Sequence, residues 1–103
     1  MKYPVGTWKG LETTIPSYPV TSDVVVFSPE GAVHYSTVGP KGEKWNVRFE
    51  TTAEENEILM YPLSDLGIRQ TEEPLRIQVA WLSPDRICIT RLGHRTIYQR
   101  SEN

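Results

Sequence analysis

No stretch of this chain keeps a helical rhythm of apolar residues for about ten positions, and that constrains its fold more than any motif does. What recurs instead is alternation. In KWNVRFET, Trp45, Val47 and Phe49 are interleaved with Asn46, Arg48 and Glu50, so an extended segment has one apolar and one wet face. PLRIQVAWL repeats the device, with Ile77, Val79 and Trp81 on one face and Arg76 and Gln78 on the other. Turn residues separate such runs. Ser28-Pro29-Glu30-Gly31, Gly39-Pro40-Lys41-Gly42, Ser83-Pro84-Asp85 and Gly93-His94 supply a preset φ or freedom to take a positive one.

Read in order, the sequence predicts eight strands: residues 5–13, Val24–Phe27, Ala32–Val38, 44–51, 57–61, 74–82, 86–92 and 95–100. The Pro-, Ser- and Thr-rich TIPSYPVTSD is a loop, and SDLGIRQTEE is the one place for a helical turn. Most connections are short, so successive strands pair antiparallel; parallel pairs need long crossovers. A meander of eight strands has two bare edges unless it closes on itself. The expected fold is therefore all-β: a single domain over residues 1–103, an antiparallel up-and-down meander closed into a small barrel. A two-sheet sandwich is the runner-up.

Closure sets the start of the first strand beside the end of the last. Trp8 is near the first of these points and Arg100 near the second. A guanidinium over an indole face is worth on the order of 0.5–2 kcal/mol. Trp8 and Arg100 would cap the barrel floor, with Gly6 leaving room for the neighbouring backbone.

Gly6-Thr7-Trp8-Lys9, then Phe27 to Gly31 with Tyr35, then Tyr98-Gln99-Arg100 follow one another across nearly the whole chain. In this order they resemble the short bacterial lipocalin-like domains of the lipocalin (calycin) superfamily. The resemblance implies a barrel whose Trp8 and Arg100 pack at the closed end and whose interior holds a small apolar ligand. The chain is shorter than a typical lipocalin, with neither a long C-terminal helix nor a disulfide. GTWKG also resembles the opening of the haem-binding nitrobindin barrels. Those are longer, and their proximal histidine has no counterpart here, since His94 sits in a turn signal.

The inward face is read as Trp8, Val24, Val26, Val33, Tyr35, Trp45, Val47, Phe49, Ile77, Val79, Trp81, Ile87, Ile89, Tyr98 and Arg100. With Tyr98 and Arg100 inside, Ile97 points out. The residues expected to line a ligand are His34, Tyr35, Trp45, Val47, Phe49, Ile77, Val79, Trp81 and Ile89, beneath TIPSYPV as a lid. Eight strands leave an interior that side chains nearly fill or that holds one small ligand.

Other chemistries find little support. A net charge of −2 and a pI near 5.6 argue against nucleic-acid binding. One cysteine, Cys88, forms no intrachain disulfide. No apolar run is long enough for a membrane span, and MKYPVGTW lacks that of a signal peptide, so a cytoplasmic setting is expected. His34, His94 and Cys88 have no ligand-like spacing, so neither a metal nor a cofactor is expected. Ser64, His34 and Asp65 form a triad only on paper, because neighbours on one loop rarely serve as nucleophile and orienter. Glu54, Glu55 and Glu57 read as a solvated hairpin tip. Arg86, Arg91, Arg95 and Arg100 make the final hairpin basic, which faces water or forms an anion-favouring mouth.

The leading expectation is a non-enzymatic barrel, monomeric or homodimeric, that binds a small apolar or amphipathic molecule. The alternative is a filled barrel that meets a protein partner through its loops, as inhibitors and immunity proteins do. An enzyme comes third.

Overall fold

A computed structural model describes residues 2–39 and 41–101. Eight strands run in chain order around a closed barrel. They are β1 (Gly6–Thr13), β2 (Val24–Phe27), β3 (Ala32–Val38), β4 (Lys44–Ala53), β5 (Ile58–Leu63), β6 (Leu75–Ser83), β7 (Arg86–Arg91) and β8 (His94–Arg100). Every neighbouring pair is antiparallel, and β1 closes on β8 with Trp8 opposite Arg100. The closed meander, rather than the sandwich, is the architecture.

The seams differ in length. β3 and β4 share seven residue pairs, whereas β5 and β6 share three, from Ile58↔Ile77 to Met60↔Leu75. The expected turn Gly39-Pro40-Lys41-Gly42 includes Pro40, which lies outside the described residues. SDLGIRQTEE makes no helical turn: Leu63 bridges to Arg69, and Gln70 donates its N–H to the Pro62 carbonyl. The helical turn falls instead at Val20–Ser22, a 3-10 turn in the first connection. The last hairpin turns on Leu92-Gly93, one residue earlier than expected, both with positive φ (50° and 80°). That pairing suits a two-residue hairpin, whose twist matches the strands.

Hairpins alternate between two ends. At the closed end, residues 2–5 cross beneath the barrel as a strap. The Trp8 side chain is fully buried and donates its indole N–H to the Pro4 carbonyl at 2.8 Å. The Arg100 guanidinium lies 4.4 Å over the Trp8 ring and donates to the carbonyls of Val5 (3.1 Å) and Pro84 (3.3 Å). Trp81 meets Trp8 edge-on at 5.6 Å and donates to the Lys2 carbonyl. Gly6 has φ +132°, and a Cβ there would stand 2.6 Å from Arg100 Nη1. The close approach expected of Gly6 is thus to the arginine itself.

The core cluster gathers Trp8, Val25, Phe27, Val33, Phe49, Ile58, Met60, Ile77, Ile87 and Tyr98. Val25 and Phe27 point inward, not Val24 and Val26 as expected. VVVF carries no polar alternation to mark its face. Pairing decides it: Val25 lies opposite Tyr35 and Phe27 opposite Val33, and cross-strand partners share a face. Ile97 lies on the outer face opposite Cys88, each half-buried.

Replacing Trp8 by Ala removes the centre of the floor. The expected cost is about 3–5 kcal/mol. Arg100→Ala should cost less, about 1–2 kcal/mol through lost stacking and stem packing. Urea denaturation of both variants checks the order; equal, surface-like effects would contradict a barrel floor centred on Trp8.

Candidate functional site

Toward the other end, the barrel encloses a partly open cavity of about 320 Å³, lined in part by the core residues. Its walls are mainly apolar: Val25, Phe27, Phe49, Met60, Ile77 and Ile89 come from five different strands. Ile15, Leu75, Leu92, Arg91 and His94 stand around the mouth, where β6, β7 and β8 begin or end. Large apolar side chains are exposed on connections at this end, including Leu66 (86%) and Leu92 (84%).

One corner of the cavity is polar. Asp23, only 1% exposed, ends the first connection just before β2. Three phenols surround its carboxyl group. The Tyr18 hydroxyl donates toward Oδ1 and Oδ2, each at 2.9 Å. Tyr35 donates to Oδ1 at 3.0 Å and Tyr98 to Oδ2 at 3.2 Å. The Tyr18 and Tyr35 hydroxyls also touch each other. Burial pushes all three phenols above their usual range, and the negative charge of Asp23 adds to the rise.

Local structure makes this corner. The Asp23 N–H donates to the Val20 carbonyl, closing the 3-10 turn, and the Asp23 carbonyl accepts from the Gly10 N–H, both at 2.9 Å. A Cβ at Gly10 would overlap the Val20 carbonyl, so only glycine lets the turn lie this close on β1. Tyr18 hangs from the loop of residues 14–23, which therefore folds over the cavity mouth and is tied down at Asp23. Tyr35 reaches in from β3 and Tyr98 from β8.

Of the residues expected around a ligand, Tyr35, Phe49, Ile77 and Ile89 line the cavity. Val47 and Val79 pack against the core outside the lining. Trp81 belongs to the floor. His34 is exposed on the outer surface. It lies opposite Val26 and follows Val33 in the strand, so period two turns it away once Val33 and Tyr35 point in. Trp45 keeps the inward parity of Val47 and Phe49 but stands at the open end of β4, 56% exposed.

Asp23 and Tyr18 were not anticipated. Inward tyrosines need partners for their hydroxyls, and a meander sets residue 23 at the mouth beside Tyr35. Those two facts together pointed to an acceptor in the first connection. Among the described residues no three His, Cys, Asp or Glu side chains form a metal-binding group. Ser64 and Asp65 lie on an outer loop far along the chain from His34, which faces out on β3. No helix of the described residues is long and apolar enough to cross a membrane.

No family model matches the sequence, and no curated protein matches it. Two solved structures do in shape. One is a lipocalin-like protein from Bacteroides uniformis ATCC 8492, with a TM-score of 0.74 and 15% identity over 97% of this chain and 100% of that one. The other is an uncharacterized protein from Bacteroides eggerthii DSM 20697, with a TM-score of 0.69 and 12% identity over the same shares. At such identities the likeness is one of fold: this chain forms a lipocalin-like barrel.

The phenols carry a pH consequence. Folded Tyr18, Tyr35 and Tyr98 hold their protons beyond the ordinary value of 10.0, while in the unfolded chain they lose them near it. Their contribution to stability is whole below pH 10 and fades as pH rises further. The melting temperature should fall once pH passes about 10, and less steeply in Tyr98→Phe. Melts from pH 8 to 11 check this; parallel curves for the two proteins would contradict it.

Proposed function

We propose that this lipocalin-like barrel is a binding protein, not an enzyme, and that it takes one small apolar or amphipathic molecule into its interior. One observation carries the reading: an apolar cavity of about 320 Å³ with a single polar corner and a loop across its mouth. That volume is at the small end of the roughly 300–1,000 Å³ usual for small-molecule pockets. Ligand pockets typically combine apolar walls with a few convergent polar groups that orient the guest. The loop of residues 14–23 is the natural lid, since Tyr18 joins it to the corner.

The competing idea, a filled barrel meeting a protein through its loops, is favoured by a dry core and an exposed apolar patch around Tyr18 and Pro19. Pro19 is exposed, but Tyr18 is half-buried and turns toward Asp23. A cytoplasmic setting belongs to the same proposal; the half-buried, unpaired Cys88 is compatible with it.

Isothermal titration with n-octanol tests the reading. The protein should bind it saturably, one molecule per chain. Ile89→Trp fills the cavity and should abolish that binding, at an overpacking cost of about 1–3 kcal/mol in stability. Absence of saturable binding to the unaltered protein, or binding indifferent to Ile89→Trp, would refute a ligand in the barrel.

A further inference from the structure

We propose that the polar corner receives an ammonium group, so that the ligand is an amine on a small apolar body. The inference rests on the reading of the barrel as a binding protein and adds the chemistry of the guest.

The proton inventory leads there. Each phenol has one hydroxyl proton. Tyr18, Tyr35 and Tyr98 all direct theirs within the cluster, at Asp23 or at one another. What the corner retains for a guest is oxygen lone pairs and aromatic faces. A carboxylate or carbonyl finds no free donor there; a guest that brings its own N–H groups finds acceptors. An ammonium brings three.

Charge points the same way. Asp23 is buried, and buried charges ordinarily have a partner of opposite sign. The ion pairs of the described residues join Arg69 to Glu50, Arg76 to Glu57 and Arg100 to Asp85, and none reaches Asp23. Its negative charge is shared out through neutral phenols that line the same cavity. Field strength there is set by a low-dielectric wall, so a cation at the phenol oxygens gains more than it would at the surface. Rings of Phe27, Phe49 and the tyrosines add faces that attract cations.

The other charged or titratable groups lining the cavity are Arg91 and His94. Both are exposed at the mouth, where water and salt screen them. They bias entry, whereas the corner decides what is held. Apart from Thr96, whose hydroxyl pairs with that of Thr13 at 2.9 Å, the remaining lining is apolar and suits a hydrocarbon body.

Three probes with the same chain separate the possibilities: n-octylammonium, n-octanol and octanoate, titrated calorimetrically at neutral pH and low salt. The unaltered protein should bind octylammonium at least about tenfold more tightly than octanol, with octanoate weakest, as a charge-assisted contact warrants. In Asp23→Asn the ratio of octylammonium to octanol affinity should collapse to near one. If that variant does not fold, Tyr98→Phe, which removes one acceptor oxygen, should reduce the same ratio. Equal binding of octylammonium and octanol by the unaltered protein would overturn the ammonium assignment and leave the ligand-binding reading standing. Tightest binding of octanoate would do the same and move the anchor to Arg91. Binding of none of the three would overturn both.

Discussion

The barrel depends on the contact of Arg100 with Trp8. It joins the last strand to the first, at residues directly opposite each other in the β1–β8 ladder. Without closure each end of the meander would present unpaired N–H and C=O groups. The same guanidinium holds the strap through Val5 and the β6–β7 turn through Pro84. One side chain on β8 thus holds the N-terminal stretch and the β6–β7 turn, which are far apart in sequence. Gly6 follows from it, because a side chain there would occupy the space of the guanidinium.

A sealed floor has a counterpart in the open end. Tyr3 against Phe27, Trp81 against Trp8 and the strap fill the lower barrel, so unfilled volume gathers above them. There the lining is mainly aliphatic side chains with the rings of Phe27 and Phe49, and the buried carboxylate and its three phenols are concentrated in one corner. Asp23 lies where the first connection enters β2, which lets a single residue both end the loop and collect hydroxyls from β3 and β8. Glycine is needed for this as well, since Gly10 gives the 3-10 turn its seat on β1.

Much of the architecture was legible in the sequence because alternation and turn chemistry are local signals. Val24–Phe27 and Ala32–Val38 run as expected to the residue, and the pairing of Trp8 with Arg100 follows from closure alone. The facing of VVVF was not legible, since three consecutive valines fit either face and only the partner strand chooses. His34 and Tyr35 could not both point inward, and the apolar neighbours of Tyr35 decide between them. The Asp23 corner was hidden for another reason. Its four residues are spread from position 18 to 98, and an acidic residue in a loop reads as solvated unless the tyrosines facing it are considered together.

The short β5–β6 seam has a consequence of its own. A closed barrel has no edges until one seam parts, and it parts where the fewest ladder bonds must break. Three residue pairs hold this seam, against seven at β3–β4. The long connection from β5 to β6 does little to hold the two strands in register, since it is itself anchored back on β5 through Arg69 and Gln70. When the seam opens, β5 and β6 become free edges at once, and β5 carries the apolar run Ile58, Leu59 and Met60. Two such molecules can complete each other's missing ladder. The seam with the fewest residue pairs thus marks where the barrel's two latent edges lie, on the side away from its arginine clasp.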